Sequence, residues 1–86
     1  MMPTIFVLDV PEFLPLVMHA QEVSELAVTG PRLGYYRIQS QGTITLHRKA
    51  LGFKPAVWHG ALTGGLIGQV EHFDNDELRI GELHKS

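Results

Sequence analysis

The apolar residues between positions 15 and 28 recur at the three- and four-residue spacing of an amphipathic helix. Pro15 suits the first turn of such a helix, where a missing backbone N–H costs little. The Thr-Gly-Pro segment at 29–31 predicts the end of the helix, because glycine and proline terminate helices. Before the helix, a β-branched and apolar run at 4–10 predicts a short strand. We therefore expect one main helix over about 15–28, preceded by an N-terminal strand.

From Tyr35 onward the apolar period becomes two, which is typical of β-strands. The turn signals are Gly42, the Gly64-Gly65 pair and the Asp-Asn-Asp segment at 74–76. These turns, together with a longer connection at 51–55, separate predicted strands at 35–39, 43–49, 56–63, 66–73 and 77–83. Strands joined by short turns form an antiparallel meander, on which the helix would pack. The expected fold class is α+β, with a meander of four to five strands over 35–83.

The turns also set a register that divides the meander between two faces. A two-residue turn at Gly64-Gly65 places His59 opposite Val70, and a three-residue turn at 74–76 places His72 opposite Leu78. The same turn at 74–76 places Val70 opposite Ile80. The face toward the helix would contain Tyr36, Ile38, Ile44, Leu46, Val57, His59, Ala61, Leu66, Val70, His72, Leu78 and Ile80.

The opposite face of the meander is unusually apolar for a surface. Trp58, Leu62, Ile67 and Phe73 would lie together there, and a solvated sheet face does not usually carry four such side chains. Self-association is the simplest cover for a chain too small to build a large core. We expect a homo-oligomer, most simply a dimer, with another protein or a small molecule as the alternative partner. The candidate interface or ligand-binding residues are Tyr35, His47, Trp58, Leu62, Ile67, Glu71, Phe73 and Arg79.

Composition narrows the class of protein. Eighty-six residues predict a single domain, 1–86, and 44% apolar with 19% charged residues is typical of a globular chain. Because there is no cysteine, disulfide frameworks, thiolate zinc sites and cysteine nucleophiles are excluded. The first residues do not have the pattern of a signal peptide, and the weakly charged run at 56–70 is too short and glycine-rich for a membrane span. We expect a cytoplasmic protein that makes no membrane contact.

Positive charge is concentrated in one segment, although the net charge is −2. Residues 32–55 contain no Asp or Glu, and they contain Arg32, Arg37, Arg48, Lys49 and Lys54. Such a segment could contact a phosphate or an acidic partner. The opposing interpretation is that these side chains solvate a hairpin, and the acidic balance of the whole chain favours it. Weak nucleic-acid or anion binding through 32–55 is therefore a secondary hypothesis.

Three histidines could converge between the helix and the sheet. His59 and His72 lie on the predicted core face and His19 on the side of the helix that meets it, an arrangement that would suit a metal ion or an acid–base pair. Their spacing matches no ligand motif, and no carboxylate shares that face. We expect these rings to bond to backbone or hydroxyl groups. No metal or cofactor is expected, and His19, His59 and His72 are the candidates if a metal is bound.

On the other predicted face, His47 and Trp58 would lie beside Glu71 and Arg79 and form a small polar site with an aromatic wall. The expected role of Glu71 and Arg79 is a cross-strand ion pair. The glycines at 60–68 lack the Lys-Ser/Thr sequence that completes a phosphate-binding loop. Three hydroxyl residues, Ser24, Ser40 and Thr63, lack an identifiable base to activate them.

Two classes of function remain at this point. The leading interpretation is a non-enzymatic binding or interaction module that self-associates through the aromatic sheet face. The alternative is a small histidine-dependent enzyme or metal-binding protein, with a pocket between helix and sheet. Whether the chain is an enzyme therefore depends on where the histidines lie.

Overall fold

The computed structural model contains two antiparallel sheets, one of four strands and one of three. It describes residues 2–62 and 64–82. The four-stranded sheet has the order β2-β3-β1-β5, and the three-stranded sheet has the order β4-β7-β6. Thr63 and Leu83, at the ends of two predicted strands, lie outside the described residues. The elements are β1 (Thr4–Leu8), a 3-10 turn (Pro11–Phe13), α1 (Leu14–Glu22), β2 (Leu26–Arg32), β3 (Tyr35–Ser40), β4 (Ile44–His47), α2 (Arg48–Leu51), α3 (Pro55–Gly60), β5 (Leu66–Ile67), β6 (Gln69–Phe73) and β7 (Glu77–Gly81).

The predicted α+β class is confirmed, with α1 as the main helix and β1 as the N-terminal strand. Strand β1 lies between β3 and β5, and its inward residues Ile5 and Val7 are completely buried. Helix α1 begins with proline in its first turn and turns Leu16 and Ala20 into the core. The core therefore forms where α1, both sheets and the two short helices meet.

The predicted end of the helix at residue 28 is wrong, because α1 ends at Glu22. Val23 has extended backbone angles, and the chain then enters β2, where Ala27 pairs with Gln39 and Val28 with Ile38. Pairing with β3 outweighs the helical spacing of these residues, since a strand that gains a full ladder overrides local propensity. The region between α1 and β3 is consequently a sheet edge instead of two more helical turns.

The predicted hairpin at Gly64-Gly65 is also wrong. The segment at 55–60 is helix α3, with Pro55 in its first turn, and the two residues of β5 pair with β1 instead of with 56–63. A proline at the start of a segment is a helix-start signal that the alternating pattern of the following residues concealed. Gly64 is needed for a different reason, because a Cβ at this position would overlap the carbonyl oxygen of Phe6.

The predicted meander is divided between the two sheets. Strands β3 and β4, expected to form a hairpin across Gly42, belong to different sheets, and so do β5 and β6. One predicted pairing is confirmed, since Val70 lies opposite Ile80. Ile44 also pairs with Ile80 and Leu46 with Leu78, so these residues of the predicted core face lie beside the buried residues of β7. The core side of β7 was therefore predicted correctly.

A bulge at Glu71 changes the rest of the β6 register. The ladder shifts between Val70 and His72, so that His72 pairs with Arg79 and Phe73 with Leu78. The predicted pairing of His72 with Leu78 is wrong by one residue, and a shift of one residue moves each later side chain to the other face of the sheet. Phe73 therefore turns toward the core, and His72 turns outward.

Gly68 joins the two sheets, between β5 and β6. Its φ is +132°, and a Cβ here would lie 2.7 Å from the carbonyl oxygen of Gly81 and 2.8 Å from the Ile80 side chain. Both the backbone angle and the close approach therefore require glycine.

Replacing Gly68 by alanine is expected to lower the free energy of unfolding by about 1–3 kcal/mol, the usual cost of holding a non-glycine residue in such a conformation. The matched control is Gly42→Ala, because nothing lies within 4 Å of a Cβ at Gly42. Urea denaturation of both variants measures the difference. Equal stabilities would show that the crossing between the sheets tolerates a side chain.

Candidate functional site

The eight candidate interface residues do not share one face. Tyr35 and Ile67 belong to the four-stranded sheet, and Trp58 belongs to α3. Leu62 follows α3. The other four lie in the three-stranded sheet: His47, Glu71, Phe73 and Arg79. The prediction of a single aromatic sheet face is therefore wrong, because α3 replaces the strand that would have carried two of its large residues.

Trp58 is covered by its own chain. Its side chain is only 1% exposed, its Nε1 donates a hydrogen bond to the carbonyl oxygen of Asp74 at 2.7 Å, and its ring lies 5.9 Å from that of Phe73. Leu62 also packs against the core. Two of the four apolar residues that were expected to need a partner, Trp58 and Leu62, thus contact the core of their own chain. Trp58→Ala would therefore test the fold and not an interface.

The turn between β6 and β7, Asp74-Asn75-Asp76, is the most densely bonded polar part of the described chain; we call it the acidic turn. Arg48, at the start of α2, donates from Nε to the Asn75 carbonyl oxygen at 2.6 Å and from Nη1 to the Phe53 carbonyl oxygen at 2.9 Å. It also forms an ion pair with Asp76 at 3.5 Å. With its side chain only 19% exposed, Arg48 holds α2 against the turn and is not available to a phosphate.

Asp74 organises the acidic turn from within. One carboxylate oxygen accepts hydrogen bonds from the backbone N–H groups of Asp76 and Glu77, each at 2.8 Å, and the other lies 2.8 Å from Nε2 of His72. The two backbone N–H groups, followed by the bond to His72, lower the pKa of Asp74 from 3.8 to about 2. The carboxylate is therefore charged throughout the neutral range.

The histidines do not converge between helix and sheet as predicted. His59 bonds through Nε2 to Oδ1 of Asn75 at 2.9 Å, His72 bonds to Asp74, and His19 lies in the last turn of α1. Within residues 2–62 and 64–82, no three His, Asp or Glu side chains lie close enough together to hold a metal ion. The expected backbone and hydroxyl partners of His59 and His72 are also wrong, since both rings bond to side chains of the acidic turn.

The predicted ion pair between Glu71 and Arg79 is replaced by another. Arg79 donates to the Glu77 carboxylate at 2.8 Å, whereas the Glu71 side chain lies over Gly81. His47, opposite Glu77 in the β4–β7 ladder, is exposed, and Trp58 is in the core. The polar site with an aromatic wall that was predicted from His47, Trp58, Glu71 and Arg79 is therefore not assembled.

The outer strand of the three-stranded sheet is open along its length. All five residues of β6 are exposed, and they include two large apolar side chains, Val70 at 44% and Phe73 at 39% exposure. Sequence reasoning selected Phe73 and Glu71 but assigned Val70 to the core. Val70 lies opposite Ile80 as predicted, and it is exposed because β6 is an outer strand of its sheet. That position depends on the strand order, which no local residue pattern shows.

Two cavities open on the four-stranded sheet. The larger, of about 490 Å³, lies between the start of β2 and the end of β3 and is lined mainly by small and amide side chains such as Ser24, Ala27 and Gln39. The smaller, of about 280 Å³, is lined by Phe6, Thr29, Gly30, Arg32, Tyr35 and Arg37. Neither cavity is lined by a histidine, so neither adjoins the hydrogen-bonded pair of His72 and Asp74.

No protein-family model matches the chain, and no curated protein is significantly similar to it in sequence. In the part of the chain that the structure describes, no helix is long and apolar enough to cross a membrane. A function can therefore be inferred only from the surfaces themselves.

The low pKa of Asp74 makes stability depend on pH in the acid range. Because the pKa in the folded state is about 2 and the ordinary pKa of an aspartate is 3.8, the carboxylate stabilises the fold fully above the higher value, and this contribution is lost as the pH falls toward the lower one. In Asp74→Asn this part of the pH dependence is expected to be absent. Urea denaturation between pH about 5 and about 2 measures it.

The control for this prediction is Asp9→Asn, because the Asp9 carboxylate forms no hydrogen bond or ion pair with the described residues. Its stability curve should keep the acid-range slope of the unmodified protein. An unchanged slope in Asp74→Asn would contradict the role assigned to the acidic turn.

Proposed function

We propose that this chain is a small non-enzymatic interaction module that forms a homodimer by pairing the free edges of two β6 strands. The observation that supports it is the exposure of all five β6 residues on an edge of the three-stranded sheet. An edge strand offers unpaired backbone N–H and C=O groups, which are a template for another strand. Pairing around a two-fold axis would join two three-stranded sheets into one of six strands.

The apolar side chains of β6 suit this pairing. Val70 and Phe73 are three positions apart, yet the bulge puts both on the core side of the sheet, opposite the buried residues Ile80 and Leu78. Their exposed parts form an apolar margin along the open edge. A second strand would cover that margin, and removal of apolar surface from water favours association.

The sequence of β6 is complementary to itself when two copies run antiparallel. One register places Val70 opposite Phe73 of the partner subunit and Glu71 opposite His72 of the partner subunit. Apolar side chains then meet apolar ones, and a carboxylate meets an imidazole that can carry positive charge. Because the two-fold axis repeats both pairs, each favourable contact occurs twice.

The dimer is expected to be weak. The bulge and the two charged or titratable residues in the strand are features that limit edge pairing, so only four residues from each copy would pair. Such an interface is at the small end of specific contacts, where complexes are transient. We also propose the cytoplasm as its location, since a small cysteine-free chain lacks the disulfide framework that is common in small secreted domains.

The proposed dimer is tested with Val70→Lys, which places a charge on the apolar margin. Sedimentation velocity over a concentration series should show a monomer–dimer equilibrium in the unmodified protein and a monomer in this variant. The matched control is Thr45→Lys, because Thr45 is an exposed residue of β4, the other edge of the same sheet. A monomer at every concentration in the unmodified protein would overturn the proposal, as would equal dimerisation of Val70→Lys.

A second variant tests the register. Glu71→Lys would put an ammonium group opposite His72 of the partner subunit, so the dimer should be several-fold weaker than normal at low salt, and added salt should reduce this difference because it screens the repulsion. Gln69→Lys also introduces an ammonium group, but outside the four paired residues, and should leave the dimer intact. If both lysine variants dimerise equally, the proposed register is wrong even though the edge is used.

A further inference from the structure

The ladders of the four-stranded sheet place two arginines on its outer face. Arg37 pairs on one side with Thr29 and on the other with Phe6, while Tyr35 pairs with Arg32. Residues two apart along a strand point to the same face, so Arg37 and Tyr35 project together. This face is opposite to the one that buries Ile38 and Val7, and it carries all the residues that line the smaller cavity.

Aromatic rings and bare backbone shape this cavity. Tyr35 is 39% exposed and Phe6 is half-buried, while Gly30, with φ of +108°, contributes no side chain. The ring of Tyr35 lies against Gly64, since a Cβ at Gly64 would be only 3.1 Å from Tyr35 Cε1. The tyrosine ring thus contacts the backbone at Gly64 and also lines the cavity.

The two guanidinium groups lack the acidic partners that the other arginines have. Arg48 and Arg79 form ion pairs with Asp76 and Glu77. By contrast, Arg37 donates only to the Thr29 hydroxyl at 3.3 Å, and Arg32 makes no side-chain hydrogen bond or ion pair with any described residue.

Among the described residues, no carboxylate compensates the charge at this cavity. No carboxylate lines it, and Asp9, which follows β1, approaches this hairpin through a backbone hydrogen bond to Gly34 and pairs with neither arginine. Two uncompensated positive charges, in a chain whose net charge is −2, form a local site for an anion.

We propose that this cavity binds a nucleoside monophosphate, in which a sugar links a phosphate monoester to a flat base. The guanidinium groups of Arg32 and Arg37 would hydrogen-bond to the phosphate oxygens, whose charge of about −2 matches the two arginines. The ring would stack on Tyr35 and contact Phe6, because aromatic side chains bind the faces of bases.

The size of the cavity selects a single nucleotide over a nucleic-acid strand. A volume of about 280 Å³ lies just below the roughly 300–1,000 Å³ range of small-molecule sites. Of the five basic residues at 32–55, only Arg32 and Arg37 line it, and Arg48 is committed to the acidic turn. The site shares no residue with β6, so it is independent of the proposed dimer.

The test uses the full-length chain and three probes: AMP, adenosine and inorganic phosphate. Two-dimensional amide NMR should show shifts at Thr29–Arg37 and Phe6 with AMP, and affinity should fall at least about tenfold for adenosine or phosphate alone, since each retains only half of the contacts. Absence of AMP shifts at millimolar concentration would overturn the proposal. Equal binding of phosphate and AMP would overturn the assignment of a ring-bearing ligand.

Two variants test the arginine part and the aromatic part of the site separately, and a third is a control outside it. Arg32→Gln, which breaks no described contact, should weaken AMP binding about tenfold, the usual effect of losing one charged hydrogen-bonding group. Tyr35→Ala should weaken AMP binding and leave phosphate binding unchanged. The control is Lys49→Gln, an exposed cation of α2 outside the cavity, which should bind AMP normally. Equal AMP affinities in Arg32→Gln and Lys49→Gln would show that AMP binds elsewhere.

Discussion

The hydrogen bond from the buried indole of Trp58 to the carbonyl oxygen of Asp74 joins the apolar core to the polar surface of this molecule. It places the largest side chain of the core beneath the three-stranded sheet and fixes α3 against the acidic turn. The same turn receives Arg48 from α2, so both short helices are attached to one hairpin. Because β7 pairs with β4 on its other side, β6 is left as an outer strand, and its edge is the surface on which the proposed dimer depends.

The bulge at Glu71 determines which residues that edge offers. Without it, the strict alternation of a strand would put Phe73 on the solvent face and His72 in the core. With it, Phe73 packs on Trp58, His72 reaches Asp74, and Val70 joins Phe73 along the open margin. One extra residue therefore produces both the oriented imidazole–carboxylate pair and the apolar margin of β6.

The basic segment at 32–55 has two separate roles because the chain divides it between two sheets. Arg48 is a structural residue that satisfies backbone carbonyl groups, whereas Arg32 and Arg37 remain without acidic partners beside aromatic rings. Charge counted along the sequence treats these residues as one patch. The structure separates them by their contacts: Arg48 bonds to backbone carbonyl groups within the fold, whereas Arg32 and Arg37 line the proposed anion site on the outer face.

Local patterns alone determined the α+β class, the N-terminal strand, the start of α1 at a proline, the turn at 74–76 and the buried side of β7. These features depend on residue type and short-range spacing, which a sequence displays directly. Only the tertiary structure decided where α1 ends, that 55–60 is helical, and that the strands divide into two sheets. Those outcomes depend on contacts between residues far apart in the sequence: β2 pairs with β3, β5 pairs with β1, and Trp58 is buried in the core. A single sequence does not show which of these long-range contacts has the lowest free energy.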